Sequence, residues 1–460
     1  MESLNEFIAN IGGLVWGPYM LTFLVGTGVY LTLRLAFLQV RMLPFALKQA
    51  FSKHPNTDNH EGDISHFGAL MTALSATIGT GNIAGVATAV VLGGAGAVFW
   101  MWVSAFFGMA TKYAEGILAV KYRVTNSKGE MSGGPMYYLE RGCNLKWLAI
   151  LFALFGTIAS FGIGSSVQSN SVAASLQTSL DIDTWKTGVV LTIFTGLVIL
   201  GGIKGISRTA SIIVPFMAIV YVAGGLIVMF YHADLVIPAI EKILSEAFTG
   251  SAALGGAVGL AIRYGVARGV FSNEAGMGSA PIAAAAAKTD HPARQAFVSM
   301  TATFLDTMVV CAITGITIVI GLLTIPEGTI AAGTTGASLT VQTFDYLLPG
   351  VGGSLVTFGL IFFAYSTILG WCYYGEKCAS YVFGDKSVPV YRVIYVLTVL
   401  LGTLEFQGDA KSTTEIVWGL SDVFNGLMAI PNLIGLVLLS GVVVKETKDF
   451  LERRRKGELP

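Results

Sequence analysis

Two apolar stretches of this chain are interrupted in mid-course, five helices apart. The first runs from His66 to Leu92 and carries Gly79–Thr80–Gly81–Asn82 at its centre. The second runs from Ala253, breaks at Phe271–Ser272–Asn273–Glu274–Ala275–Gly276–Met277–Gly278, and resumes to Ala287. An unpaired amide or carbonyl in hydrocarbon costs several kcal/mol, so a broken helix survives there only where it lines a protein cavity. Breaks at corresponding positions of two halves point to the binding site of a secondary transporter.

Composition agrees with a membrane setting. Only 12% of the 460 residues are charged, about half the usual share of a soluble domain, and 56 are glycine, as closely packed membrane helices need. The formal net charge is zero, which gives no reason to expect a nucleic-acid partner. Cys143, Cys311, Cys372 and Cys378 form no CxxC pair, and the five histidines, at 54, 60, 66, 232 and 291, lie in loops or at helix ends. A metal site, a cofactor and enzymatic chemistry are therefore not expected. The acidic start Met1–Glu6 reads as uncleaved, since a signal peptide would begin basic.

Stretches long enough to cross a bilayer fall at 12–40, 65–92, 96–120, 147–175, 185–201, 209–231, 253–287, 294–323, 352–380, 388–404 and 413–444. The shorter Ala337–Leu348, with Gln342 and Asp345, reads as an interfacial or loop helix, and Pro431 should kink the last span. Alternate connections hold the basic residues, among them Arg41, Lys48 and Lys53, Lys121 to Lys146, Lys204 and Arg208, and Lys445 to Lys456. By the positive-inside rule these are cytoplasmic, with the N-terminus outside and the C-terminus inside.

The expected fold is an all-α membrane protein of eleven transmembrane helices: one extra N-terminal helix, then two five-helix units. Because five is odd, the second unit lies inverted, the layout of the leucine-transporter fold. The boundaries are 1–64 for the extra helix and its connector, 65–250 and 251–447 for the repeats, and 448–460 for a basic tail. The broken helices occupy 65–92 and 253–287.

Opening one turn at Gly79–Asn82 frees amides that suit a carboxylate and carbonyls that suit a small cation, the latter at about Ala76 and Gly79. Close packing through Gly81-x-x-x-Gly85 is a reading that stands beside this one. At the second break Phe271, Ser272 and Asn273 suit a small pocket, with Met277 as a flexible wall. Glu274 either touches substrate or braces the segment, for example through Arg268; Arg263 stands a little further back. Gln168, among Ser165, Ser166, Ser169 and Asn170, either meets an amine or carboxylate or serves as interhelical polar glue. Ser366 and Thr367 supply cation oxygens or bond back to the preceding turn. The span at 209–231 holds no lysine or acid, which favours Na⁺ over proton coupling; Glu115, Asp306 and Glu376 remain as possible proton carriers.

The run Ser75–Ala76–Thr77–Ile78–Gly79–Thr80–Gly81–Asn82–Ile83–Ala84–Gly85–Val86–Ala87, with Ser132–Gly133–Gly134–Pro135–Met136–Tyr137–Tyr138 and Phe271 to Ala280, resembles the alanine/glycine:cation symporter family, also called sodium:alanine symporters. The resemblance covers nearly the whole chain. It implies Na⁺-coupled uptake of alanine or glycine across a prokaryotic plasma membrane by alternating access, by a chain expected to act as a monomer within the lipid bilayer. It also implies that the substrate carboxylate lies at Thr80, Gly81 and Asn82, while its amine and side chain face Gln168, Phe271 and Asn273. The cation would sit between the Ala76 and Gly79 carbonyls and the Ser366 and Thr367 hydroxyls. Proton-coupled transport by the same fold and an ion channel are the competing expectations; a channel would need a ring of carboxylates or a carbonyl filter, and neither is evident.

Overall fold

The computed structural model describes residues 2–52, 60–248, 257–331, 333–404 and 410–459. Lys53, His54 and the start of the seventh stretch at 253–256 lie outside the described residues. Almost everything described is helical, apart from a two-stranded hairpin, Val124–Thr125 with Met131–Ser132. Among the described residues six helices are long and apolar enough to cross a membrane, and a bent pair makes a seventh. Large apolar side chains such as Phe194, Leu197, Ile219 and Phe230 face outward, while serines, threonines and several charges are buried. This is the reverse of a water-soluble surface, and the protein is a multi-pass membrane protein.

The elements that build the site are α1 (Pro18–Arg34), α2 (His66–Thr77), α3 (Val86–Gly93), α4 (Gly96–Lys121), α5 (Lys146–Leu180), α6 (Gly202–Tyr231), α7 (Ala257–Asn273), α8 (Ala280–Ala285), α9 (Pro292–Thr324), α10 (Gly352–Phe383), α11 (Ala410–Leu438) and α12 (Ser440–Arg455). Helix α4 runs through the centre, packed along α7 and α9. The two broken helices, α2–α3 and α7–α8, run antiparallel. The start of α2 meets the end of α8 in a parallel bridge between Ile64 and Ala287, where Lys288 donates its amide to the Ile64 carbonyl at 2.8 Å. Arg123 then caps α8, donating to the Ala285 and Ala287 carbonyls at 3.1 and 2.7 Å. Those carbonyls would otherwise end the helix without donors.

Hydropathy blurred some boundaries. The first stretch, read as 12–40, is two helices, Glu2–Val15 and α1, because Pro18 starts a new helix and lacks the amide to continue the old one. The last stretch, read as 413–444, divides at Leu439 into α11 and α12, with Pro431 inside α11. An amphipathic helix, Ala233–Phe248, covers ground read only as an acidic loop. Gly336–Leu347 is a short helix close to where one was expected.

Among the described residues three π-helical turns interrupt otherwise regular winding: Gly81–Gly85 before α3, Gly162–Ser166 within α5 and Phe304–Cys311 within α9. Such turns are rare and concentrate at functional sites. All three surround the two breaks.

Candidate transport site at the two helix breaks

The first break bends the chain by 52° between α2 and the residues that resume at Gly81. Helix α2 starts cleanly, with Ser65 accepting the Gly68 amide at 3.1 Å, and ends where Ile78 turns to extended backbone. The break is closed by Asn82. Its side-chain oxygen accepts the Gly79 amide at 2.9 Å, and its own amide donates to the Gly79 carbonyl at 3.2 Å. Its Nδ2 donates to Asp306 Oδ1 at 2.8 Å.

Asp306 also receives the second break. Its Oδ2 accepts from Ser272 Oγ at 2.9 Å and from Thr307 Oγ1 at 2.7 Å, and Thr307 in turn accepts from Asn273 Nδ2 at 3.1 Å. One buried carboxylate on α9 therefore joins both discontinuous helices. The breaks also touch directly: a Cβ on Gly81 would stand 3.2 Å from Ser272 Cα.

The backbone of the second break is satisfied from outside it. Glu115 Oε1 on α4 accepts the Gly276 and Gly278 amides at 3.2 and 3.1 Å and Asn432 Nδ2 at 2.6 Å. Asn432 also donates to the Gly276 carbonyl at 2.8 Å and accepts from the Tyr138 hydroxyl. Gly276 and Gly278 both have φ near +85°, a region that side chains resist (+88° and +84°). Glu274 braces the segment by accepting from Ser279 Oγ at 2.5 Å. Arg268 turns instead to the Phe271 ring, 5.7 Å away.

Residues singled out in the sequence divide into groups. Thr80, Gly81 and Phe271 line one cavity of about 240 Å³ with Ile163 and Val167 of α5. Its charged lining residues are Arg268 and Asp422, one of each sign. Gly79, Gln168 and Thr367 meet at the first break: a Cβ on Gly79 would lie 2.4 Å from Thr367 Oγ1 and 3.6 Å from Gln168 Oε1. Gln168 donates through Nε2 to the Ile163 carbonyl at 3.0 Å, while its Oε1 is buried with no hydrogen-bond partner among the described residues. Thr367 Oγ1 donates back to the Phe363 carbonyl at 2.9 Å and lies 3.4 Å from the Ile78 carbonyl. Ser366 bonds back to the same Phe363 carbonyl at 2.9 Å and faces Met217. Ala76 packs against Gly370 of α10.

Asn82, Ser272 and Asn273 turn toward Asp306 and Thr307, and Met277 is buried outside the cavity lining. Neighbouring Ser165 and Asn170 serve as interhelical bonds, to Thr398 Oγ1 and the Gly402 carbonyl. Asp306 was weighed in the sequence only as a proton carrier, and Asp422 was overlooked. A carboxylate inside an apolar span was the signal for both. Among the described residues no group of three His, Cys, Asp or Glu side chains could hold a metal ion. The oxygens of Asp306, Thr307 and Ser272, and of Ile78 and Thr367, are of the hard, neutral-to-anionic kind that suits a small monovalent cation.

A family model described as the sodium:alanine symporter family matches residues 1–460. The chain is 58% identical over 455 residues to the sodium/alanine symporter AgcS of Methanococcus maripaludis, covering 98% of each chain. In structure it is similar to MhsT solved in complex with L-phenylalanine, with a TM-score of 0.57 at 16% identity, over 84% of this chain and 98% of that one. It is also similar to a Na⁺-coupled sialic acid symporter, with a TM-score of 0.52 at 13% identity, over 94% and 86% of the two chains. These likenesses show the leucine-transporter type of fold.

Proposed function

Because the chain belongs to the sodium:alanine symporter family, we propose that it carries alanine or glycine inward with Na⁺ through a site formed where its two broken helices meet. The observation that carries this reading is Gln168 Oε1, a buried acceptor without a partner that faces Gly79 at the first break. A buried acceptor left unpaired costs about 1–3 kcal/mol, which an ammonium donor would recover. The substrate amine fits there, and the carboxylate fits the backbone at Thr80 and Gly81, beside the positive end of the helix that resumes at the break. Phe271 limits the room left for a side chain, which favours small amino acids.

In this reading one Na⁺ is held by the Ile78 or Gly79 carbonyl and the Thr367 hydroxyl, with Ala76 and Ser366 as near neighbours. A second position lies at Asp306, where Asn82, Ser272 and Thr307 already converge. Since Asp306 ties the two breaks together, a cation there would bear on both at once, a direct means of coupling ion to substrate. The start of α2 beside the end of α8, with the first break beside the second, supports two inverted repeats at 65–250 and 251–447, after a first unit at 1–64 and before a tail at 448–460. Loop charge supports an outside N-terminus and a cytoplasmic C-terminus in the plasma membrane.

Alanine and glycine uptake into proteoliposomes under a Na⁺ gradient, a Li⁺ gradient or a proton gradient alone tests the proposal. Uptake should follow Na⁺. Uptake that persists unchanged without Na⁺ overturns ion choice, and current without amino acid would favour a channel.

A further inference from the structure

The carboxylates around the second break share their interior with a cation that the transport reading leaves unused. Lys112 lies midway along α4, is 1% exposed, and its ammonium has no hydrogen-bond partner among the described residues. Three donors buried without an acceptor are costly, and such a group persists only beside compensating charge. Its neighbours on α4 fix the direction it faces. Gly108, one turn earlier, lies against Ala275 and Thr303, and Gly116, one turn later, lies against Ala296 and Ser299. Lys112 therefore faces the seam between the second break and α9.

Burial works against the charge on this ammonium, and three carboxylates work in its favour: Glu115 from α4 itself, Glu274 from the break and Asp306 from α9. Each is already engaged by other donors. Glu115 Oε1 takes two backbone amides and Asn432, Glu274 takes Ser279, and Asp306 takes Asn82, Ser272 and Thr307. No ion pair to Lys112 forms among the described residues. The lysine thus stands near the carboxylates without being bound to any of them.

We propose that Lys112 is an internal cation that opposes Na⁺ at the Asp306 cluster and so sets how much Na⁺ the transporter requires. The inference rests on the reading that Na⁺ is the coupling ion and that Asp306 helps to hold it. Two positive charges near one carboxylate repel each other in a water-poor interior where salt does not screen them. For two unit charges roughly 10 Å apart at an effective dielectric near 20, such repulsion changes an ion's affinity by roughly tenfold. Losing the proton from Lys112, or the amine itself, removes the repulsion. Deprotonation of Glu115, Glu274 or Asp306 would also tighten Na⁺ binding as pH rises, so the lysine's share is what its replacement abolishes.

The test titrates Na⁺ against the full chain at pH 6.5 to 9, by thermal stabilisation in detergent without amino acid and by alanine uptake in proteoliposomes. The expected result for Lys112→Met is a half-saturating Na⁺ concentration roughly tenfold lower than wild type at pH 6.5, with a flatter pH profile. Lys112→Arg, charged at every pH, should keep the high Na⁺ requirement and lose the part of the profile that Lys112→Met loses. A Lys112→Met requirement within twofold of wild type, or above it, overturns the inference. If Lys112→Met does not fold, Lys112→Arg decides, and an unchanged pH profile overturns the inference. Wild type showing neither Na⁺ stabilisation nor Na⁺-driven uptake instead overturns the underlying transport reading.

Discussion

Asn82 and Asp306 meet across 2.8 Å, the side-chain amide of one donating to the carboxylate of the other. The two residues are 224 positions apart, and each also serves a break: Asn82 closes the first through Gly79, and Asp306 holds the second through Ser272. A change in one break is therefore felt in the other through a single carboxylate. Asn82→Ala would leave the Gly79 amide and one Asp306 oxygen without partners, at about 3 kcal/mol or more. The expected outcome is a lower melting temperature together with lost Na⁺ stabilisation. Asp306→Asn, which keeps the shape, should lose Na⁺ stabilisation with a smaller drop in melting temperature. Full retention of Na⁺ stabilisation in Asp306→Asn would remove the carboxylate from the ion's path.

Gln168→Leu should raise the half-saturating alanine concentration by roughly ten- to a hundredfold, the cost of one hydrogen bond to a charged amine. Uptake kinetics at saturating Na⁺ provide the measurement. An unchanged alanine affinity would mean that Oε1 does not meet the substrate.

Thr367→Ala deletes the hydroxyl that lies 3.4 Å from the Ile78 carbonyl while sparing the helix, because its other bond only returns to Phe363. Na⁺ dependence should weaken more than alanine affinity measured at saturating Na⁺. Equal loss of both would indicate damaged packing.

Gly278→Ala places a Cβ 2.6 Å from Pro135 Cγ in a backbone with φ of +84°. Strain and overpacking together should cost about 2 kcal/mol or more, read as a lower melting temperature. A variant as stable as wild type would show that this turn can be rebuilt.

At the end of α10, Asp385 holds the hairpin in place. The Ser127 hydroxyl, then the Ser380 hydroxyl, keep its carboxyl below the usual carboxylate range. A depressed acid stabilises the fold when ionised, so this contribution is complete above about pH 4 and is lost as pH falls through the lowered folded-state value. Hydrogen-exchange protection of the 124–132 hairpin, corrected for the intrinsic exchange rate at each pH, should be full at neutral pH and fall only in strong acid, and Asp385→Asn should lower it at pH 7. Equal protection in Asp385→Asn would show that other contacts hold the hairpin.

The breaks were legible because two glycines and an asparagine, or a run of polar residues, have no reason to interrupt an apolar helix otherwise. Gln168 was legible for the same reason. What escaped was pairing across the fold. Arg268 looked like a partner for Glu274, but at 3.6 residues per turn a separation of six puts them on different faces of a helix. Ser279 is the actual partner, brought back by a left-handed turn at Glu274 that no periodicity announces. Glu115, read as a possible proton carrier, caps the second break because α4 passes beside it, a fact of packing rather than of composition.

The π turns at Gly81–Gly85, Gly162–Ser166 and Phe304–Cys311 each take up one residue more than regular winding needs. Rewinding one as α-helix would shift that residue's rise, about 1.5 Å, along the axis while both ends stay anchored. The walls of the site therefore hold spare length, and the cavity can be retuned by moving slack along a helix as well as by tilting whole rods.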